Sequence, residues 1–290
     1  MNCLTFVHVL SPLHAGTGQG VGVIDLPIAR EKATNLPYLP GSTLKGTLRD
    51  LCEATSGEAT AREVFGEGGE STAKSGLAIL SDQKLLCLPV RSLYGTFAWV
   101  TSPYILERFK RDCQHCEVKV SCEVQKPGDE TKCFVTTESK LKKDGQVFLE
   151  DLDLNASDGA SITDWAEFLA PRIFADAKWQ DFFRERFCIV SDDVMGFLAE
   201  TATEVTARNR LDDEKKTTVR GALWYEEALP TETILSGVLS TIANGDRANQ
   251  VVQKVEKLIE KPFWLGGHTT VGRGLCRVIL YSGGNGNANA

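Results

Sequence analysis

Leu39-Pro40-Gly41-Ser42-Thr43-Leu44-Lys45-Gly46-Thr47-Leu48-Arg49 is the stretch from which the fold is read outward. Pro37 and Pro40 bracket an extended piece, and Gly41-Ser42-Thr43 opens a helix in which Ser42 or Thr43 is expected to supply the capping oxygen. Leu44, Leu48 and Leu51 recur at i, i+4 and i+7, one apolar stripe suited to lie on a sheet. Upstream, Cys3-Leu4-Thr5-Phe6-Val7-His8-Val9-Leu10 is dense in β-branched and aromatic residues and predicts a buried strand. A glycine-dense loop over 14–22 and a strand-like Val23-Ile24-Asp25-Leu26-Pro27 separate strand from helix. Downstream, 56–76 is glycine- and glutamate-rich and is expected to be loop, with strands over 77–82 and 86–100 after it. Ser102-Pro103 starts a helix running to about Arg111, with serine as N-cap and proline at the first helical position. Residues 112–146 read as irregular, 163–187 as two aromatic-rich helices parted near Pro171, and 188–194 as a strand. A polar stretch over 196–218, a strand over 219–225, a buried element over 233–242, a helix over 246–260 and a strand over 275–281 follow. The Gly/Asn/Ala tail 283–290 is expected to be disordered. Without regular βαβα alternation this order predicts an α+β fold, a ferredoxin-like core with insertions.

The composition narrows the class. The 290 residues are 42% hydrophobic and 24% charged, which excludes a collagen-like or wholly disordered chain. No run of 18 apolar residues occurs, so no membrane-spanning helix is expected. The first residues lack a basic segment before their apolar stretch, which argues against a secretory signal. Nine cysteines, an odd number, then point to reduced thiols or metal ligands in the cytoplasm rather than a disulfide framework. The net charge of −7 argues against a simple polyanion binder, yet it is unevenly spread. Residues 1–49 carry four basic and two acidic side chains, and 261–290 carry Lys261, Arg273 and Arg277 with no acid. A fold that joins the two ends would make a locally positive surface.

Several groups carry candidate chemistry. Asp25 sits between Ile24 and Leu26 in an otherwise apolar strand sequence, so its carboxylate is either satisfied by local backbone N–H groups or aimed into a working site. The loop before it, with His14 at its start, fits neither a Walker loop nor G-x-G-x-x-G. Lys45 and Arg49 stand one turn apart on a helix whose N-terminus suits phosphate, or they form an ordinary solvated face. Gly266-Gly267-His268-Thr269-Thr270-Val271-Gly272-Arg273-Gly274 is either an anion-binding nest of N–H donors or a tight hairpin. Glu226 and Glu227 end a strand, where alternation puts them on opposite faces and solvation of both is the ordinary outcome. Cys113, Cys116, Cys122 and Cys133 give C-x2-C-x5-C-x10-C, which suits either a structural zinc site or four free thiols.

Taken together, Ser11-Pro12-Leu13-His14-Ala15-Gly16-Thr17-Gly18, Ile24-Asp25-Leu26-Pro27-Ile28-Ala29-Arg30, the Leu39–Arg49 segment and the terminal Gly-Arg-Gly loop resemble the RAMP superfamily of CRISPR proteins. The aspartate-bearing segment and Trp224-Tyr225-Glu226-Glu227-Ala228-Leu229-Pro230 resemble the backbone subunit of the type III-B (Cmr) RNA-targeting complex. The resemblance implies one domain over 1–290: an RRM-like palm with an insertion over about 104–187 and a thumb β-hairpin over about 191–220. It implies copies stacked head to tail along a CRISPR RNA beside other Cmr subunits, and metal-dependent (Mg2+ or Mn2+) endonucleolytic cleavage of paired target RNA at regular intervals. A filament subunit that binds RNA without cutting it is the alternative. Residue by residue, the resemblance makes Asp25 the cleavage residue, with His14 and Glu226 or Glu227 beside it. It lays Lys45 and Arg49 along the guide, with Ser42, Gly267 and Arg273 as further candidate RNA contacts. The cysteine cluster lies outside the family pattern.

Overall fold

A computed structural model describes residues 1–18, 24–67, 74–211 and 218–283. The chain opens with β1 (Asn2–Val9), β2 (Tyr38–Leu39), α1 (Gly41–Ser56) and α2 (Glu58–Phe65). It continues through β3 (Ala78–Leu80), β4 (Gln83–Arg91), β5 (Phe97–Thr101), α3 (Pro103–His115), β6 (Lys132–Val135), β7 (Gln146–Leu149) and β8 (Leu152–Asp158). Next come α4 (Ala160–Ile173), α5 (Ala177–Arg184), β9 (Phe187–Ile189), α6 (Asp192–Thr201), β10 (Glu204–Leu211) and β11 (Thr218–Ala228). β12 (Ile234–Thr241), α7 (Gly245–Leu258), β13 (Phe263–Trp264) and β14 (Leu275–Tyr281) complete it, with one 3-10 turn at Thr269–Val271.

This is a mixed α+β fold built on one large mixed sheet. Its main path is β13-β14-β1-β12-β4-β5-β9-β6-β8-β7, with β2 added to β4 and β3 to β12. β1 is buried from Cys3 to Val9 because both its edges are taken, by β12 (Leu4 opposite Val238) and by β14 (Phe6 opposite Ile279). The basic N- and C-terminal stretches therefore meet at the β1–β14 edge. β10 and β11 stand apart as a separate two-stranded hairpin, with Thr206 opposite Glu226 and Ala207 opposite Tyr225. Trp99 anchors an aromatic core with Phe97, Phe174, Phe182 and Phe183, and its indole N–H donates to the Glu232 carbonyl at 2.8 Å.

The structure departs from the sequence expectations where tertiary contacts outweigh local signals. Neither Ser42 nor Thr43 caps α1. Its first residue, Gly41, donates its N–H to Asp82 Oδ1 at 2.8 Å, and a Cβ there would lie 2.5 Å from the Leu80 carbonyl oxygen, so glycine is required. Ser102 makes no capping bond to α3, because the Tyr104 N–H donates to Asp192 Oδ1 at 2.9 Å. The supposed loop 56–76 contains α2, whose Ala61, Val64 and Phe65 are buried. Pro171 lies inside the last turn of α4 rather than at the break, and Asp176 caps α5. Residues 192–201 are not part of the hairpin. The Ser191 hydroxyl caps α6 by accepting from the Val194 N–H at 3.2 Å, and Val194, Met195, Leu198 and Ala199 are buried. The hairpin thus occupies Glu204–Ala228 instead of 191–220. Most of the tail 283–290 and part of the first glycine loop lie outside the described residues.

Candidate functional site

Segments distant in sequence converge on the root of β11. Leu13 and Leu229 exchange N–H···O=C bonds of 2.9 Å in both directions, and the Gly267 N–H donates to the His14 carbonyl at 2.9 Å. The Asp25 segment docks parallel to β11, with the Leu26 N–H donating to Tyr225 and the Glu227 N–H to Leu26, both at 3.0 Å. The end of β1, the Asp25 segment, β11 and the glycine-rich loop are therefore hydrogen-bonded into one patch.

Within it, Glu226 and Glu227 are 1% and 2% exposed, so the ordinary expectation that both are solvated fails. Alternation holds, however, and each carboxylate serves a different side. Glu227 accepts from Arg30 Nη2 at 2.6 Å, Thr203 Oγ1 at 2.9 Å and the Ile28 N–H at 3.1 Å. Arg30 also donates to the carbonyls of Ala199 and Asn35, tying the Asp25 segment to α6. Glu226 lies 2.8 Å from His268 Nε2, 3.1 Å from Arg208 Nε and 3.4 Å from Arg273 Nε. Desolvating a carboxylate costs several kcal/mol, and the Arg208 and Arg273 guanidinium groups with the His268 ring N–H offset it.

Asp25 itself is exposed, with Oδ2 accepting the Tyr225 N–H at 2.7 Å. The backbone reading left open by the sequence holds for one oxygen, and the group faces solvent. His14 is placed otherwise. It is 6% exposed, its Nδ1 donates to the Glu227 carbonyl at 2.7 Å, and Gly16 packs against its Nε2. Through Nδ1 it braces the β11 backbone at Glu227. His268, which sequence reasoning passed over, stands at the surface with its side chain 38% exposed. The available signal was a histidine within an acid-free glycine loop.

The glycine-rich loop spends part of its donor set on backbone. The N–H groups of Gly267, Val271, Gly272, Arg273 and Gly274 are all spent on backbone carbonyls, and Arg273 is buried in ion pairs with Glu226 and Glu204. On α1, Ser42 is exposed and Lys45 and Arg49 are half-buried.

The cysteines do not fit zinc. Cys113 and Cys116 end α3, the Cys122 thiol donates to the Asp164 carbonyl at 3.5 Å, and Cys133 on β6 is hydrogen-bonded to Cys188 on β9. Among the described residues no group of three or more His, Cys, Asp or Glu side chains is placed to hold a metal ion. Burial pushes the Cys113 and Cys116 thiols up to about 12, with each further raised by a neighbouring cysteine. They are protonated, core-packed thiols.

A model of the RAMP superfamily matches residues 6–277. The chain belongs to the RAMP superfamily. Among RAMP relatives it is 34% identical over 283 residues to the CRISPR system Cmr endoribonuclease Cmr4 of Pyrococcus furiosus, covering 96% of this chain and 95% of that one. The crystal structure of oligomeric Cmr4 from the same organism superposes with a TM-score of 0.78 at 26% identity, over 96% of this chain and 97% of that one. A chain of the type III-B Cmr-beta complex bound to cognate target RNA shares the fold at a TM-score of 0.76 and 18% identity, over 97% of each chain.

The buried thiols yield a pH prediction. The unfolded chain releases the Cys113 and Cys116 protons near the ordinary thiol value of 9.0, the folded chain only near 12. Their contribution to stability is full below pH 9 and is lost as pH rises through 9–12. Denaturant titrations from pH 8 to about 11 should show falling stability, and a Cys113→Ala, Cys116→Ala double variant should lose part of that slope.

Proposed function

We propose that this chain is a backbone subunit of a type III-B CRISPR (Cmr) ribonucleoprotein and an endoribonuclease that cleaves target RNA. The end-to-end likeness to Cmr4 carries the reading, and the exposed Asp25 beside a rigid, charge-neutralised patch gives it a site. The subunit binds CRISPR RNA in a head-to-tail filament of its own copies, joins other Cmr subunits, and cuts the paired target at regular intervals. Repetition along one strand multiplies weak phosphate contacts into avidity. No helix among the described residues is long and apolar enough to cross a membrane, and all nine cysteines are free, which supports a reducing, cytoplasmic setting.

A ferredoxin-like (RRM-like) palm is supported by β1, α1, β4, β12, α7 and β14. They follow one another as strand–helix–strand–strand–helix–strand and lie side by side as β14-β1-β12-β4, all antiparallel. The β10–β11 hairpin is the thumb, and the region over about 104–187 is the insertion.

RNA carries its own nucleophile, the 2′-hydroxyl, so the protein's task is to splay one nucleotide into line and stabilise charge. Asp25 is the residue that does this at the phosphodiester. A Mg2+ or Mn2+ ion fits here only as one held by this single carboxylate, water and the RNA phosphates, because Glu226 and Glu227 are consumed in ion pairs. When bound, such an ion neutralises developing phosphate charge. Lys45 and Arg49, one turn apart on α1, lie along the guide backbone.

In assembled complexes, Asp25→Ala should cut target RNA at least about 100-fold more slowly while guide binding is retained; equal cutting contradicts the assignment. Lys45→Ala should weaken guide binding regardless of sequence and flatten its log–log salt slope by about 1, as loss of one phosphate contact does. An unchanged slope in a salt series removes Lys45 from the guide.

A further inference from the structure

We infer that His268 is the proton-transfer residue of target-RNA cleavage, oriented by Glu226; the inference rests on the ribonuclease reading above. Of the four histidines, His8 is buried in β1 against Glu232, His14 is buried with Nδ1 committed to the Glu227 carbonyl, and His115 ends α3. His268 alone combines an exposed ring with a fixed partner at the root of β11. Its backbone is left-handed, with φ 62°, and its carbonyl accepts from Val271 and Arg273, so the loop is built around it. A non-glycine residue held in that region costs of order 1 kcal/mol and persists where its surroundings over-determine it, which is common at working sites.

Every element packed against the ring contributes a charged or titratable group. Glu226 from β11 lies 2.8 Å from Nε2, and the His14 ring from the end of β1 meets the imidazole edge to face at 5.1 Å. Arg208 from β10 and Arg273 from the same loop hold the second oxygen of Glu226, and Glu204 backs Arg273. The carboxylate cannot swing away, so it fixes the Nε2–H tautomer and leaves Nδ1 as the acceptor for an incoming ligand. Glu226 is also the residue paired with Leu26, next to the Tyr225 N–H that holds Asp25, so one turnless stretch of β11 carries both supports.

In the reaction, Nδ1 takes the 2′-hydroxyl proton as the 2′ oxygen bonds to phosphorus. The P–O5′ bond breaks, and the departing 5′ oxygen receives a proton back from the imidazolium through water. The products are a 2′,3′-cyclic phosphate and a 5′-hydroxyl, with no net proton change. His268 moves the proton, and Asp25 would hold the cation that offsets the phosphate charge.

The test is single-turnover cleavage of labelled target RNA by the guide-loaded complex, followed as a pH–rate profile. His268→Gln keeps a donor for Glu226, and His268→Asn suits the left-handed backbone, so at least one keeps the fold, checked by melting. Both should cut at least about 100-fold more slowly and lose the rising limb of the pH–rate profile. Guide and target affinities should stay within about twofold, as expected when only transition-state help is lost. Cleavage within about threefold of wild type with the limb intact overturns the inference, as does a loss of RNA binding that accounts for the lost cleavage. Wild-type activity with an inactive Asp25→Ala and active His268 variants sinks this inference alone. A wild-type complex that leaves target intact sinks the ribonuclease reading with it.

Discussion

Two adjacent carboxylates taken out of water at the foot of a hairpin organise this molecule. Glu226 and Glu227 point to opposite sides of β11, and neither has solvent to turn to. Each must therefore be met by hydrogen-bond donors, and those come from the Asp25 segment, the glycine-rich loop, the hairpin's other strand and Thr203 just past α6. The attraction is strong because the surroundings are dry, and removing one partner would leave a buried charge uncompensated. Segments from opposite ends of the chain are drawn to one point by that requirement, and the backbone pairings of Leu13–Leu229 and Leu26–Glu226 hold them there.

The arrangement separates support from chemistry. Buried groups such as Glu227, Arg30 and His14 set the position of the patch, and Asp25 and His268 are the groups left at its surface. Rigid placement is what a ribonuclease of this kind needs, since in-line geometry at a phosphodiester tolerates little error. It also fits work in a repeating filament, where each copy must present the same geometry to a strand threaded past it.

Much of this was legible in the residues. The apolar run of β1, the leucine stripe of α1 and the valine stripe of α7 announce their elements because burial and periodicity are local properties of sequence. Asp25 stood out as a carboxylate in an apolar context. The rest was hidden for physical reasons. That Gly41 is forced by the Leu80 carbonyl, and that Asp82 does the work expected of Ser42, are facts of a neighbouring strand. α2 was obscured by its polar surroundings, since a helix needs only one buried stripe, and α6 by its shortness and the polar run after it. The roles of His14 and His268 could not be ranked without knowing which ring lies behind the surface. C-x2-C spacing invited zinc, but the chain sends Cys133 to Cys188 and packs the other thiols as core.

A double-mutant cycle between Arg30 and Glu227, read by denaturant unfolding, tests most directly whether buried charge pairing holds the patch together. Arg30→Met and Glu227→Gln should each cost several kcal/mol, and the double variant should cost less than their sum by more than about 1 kcal/mol. Strict additivity, with each single change nearly neutral, would contradict the account.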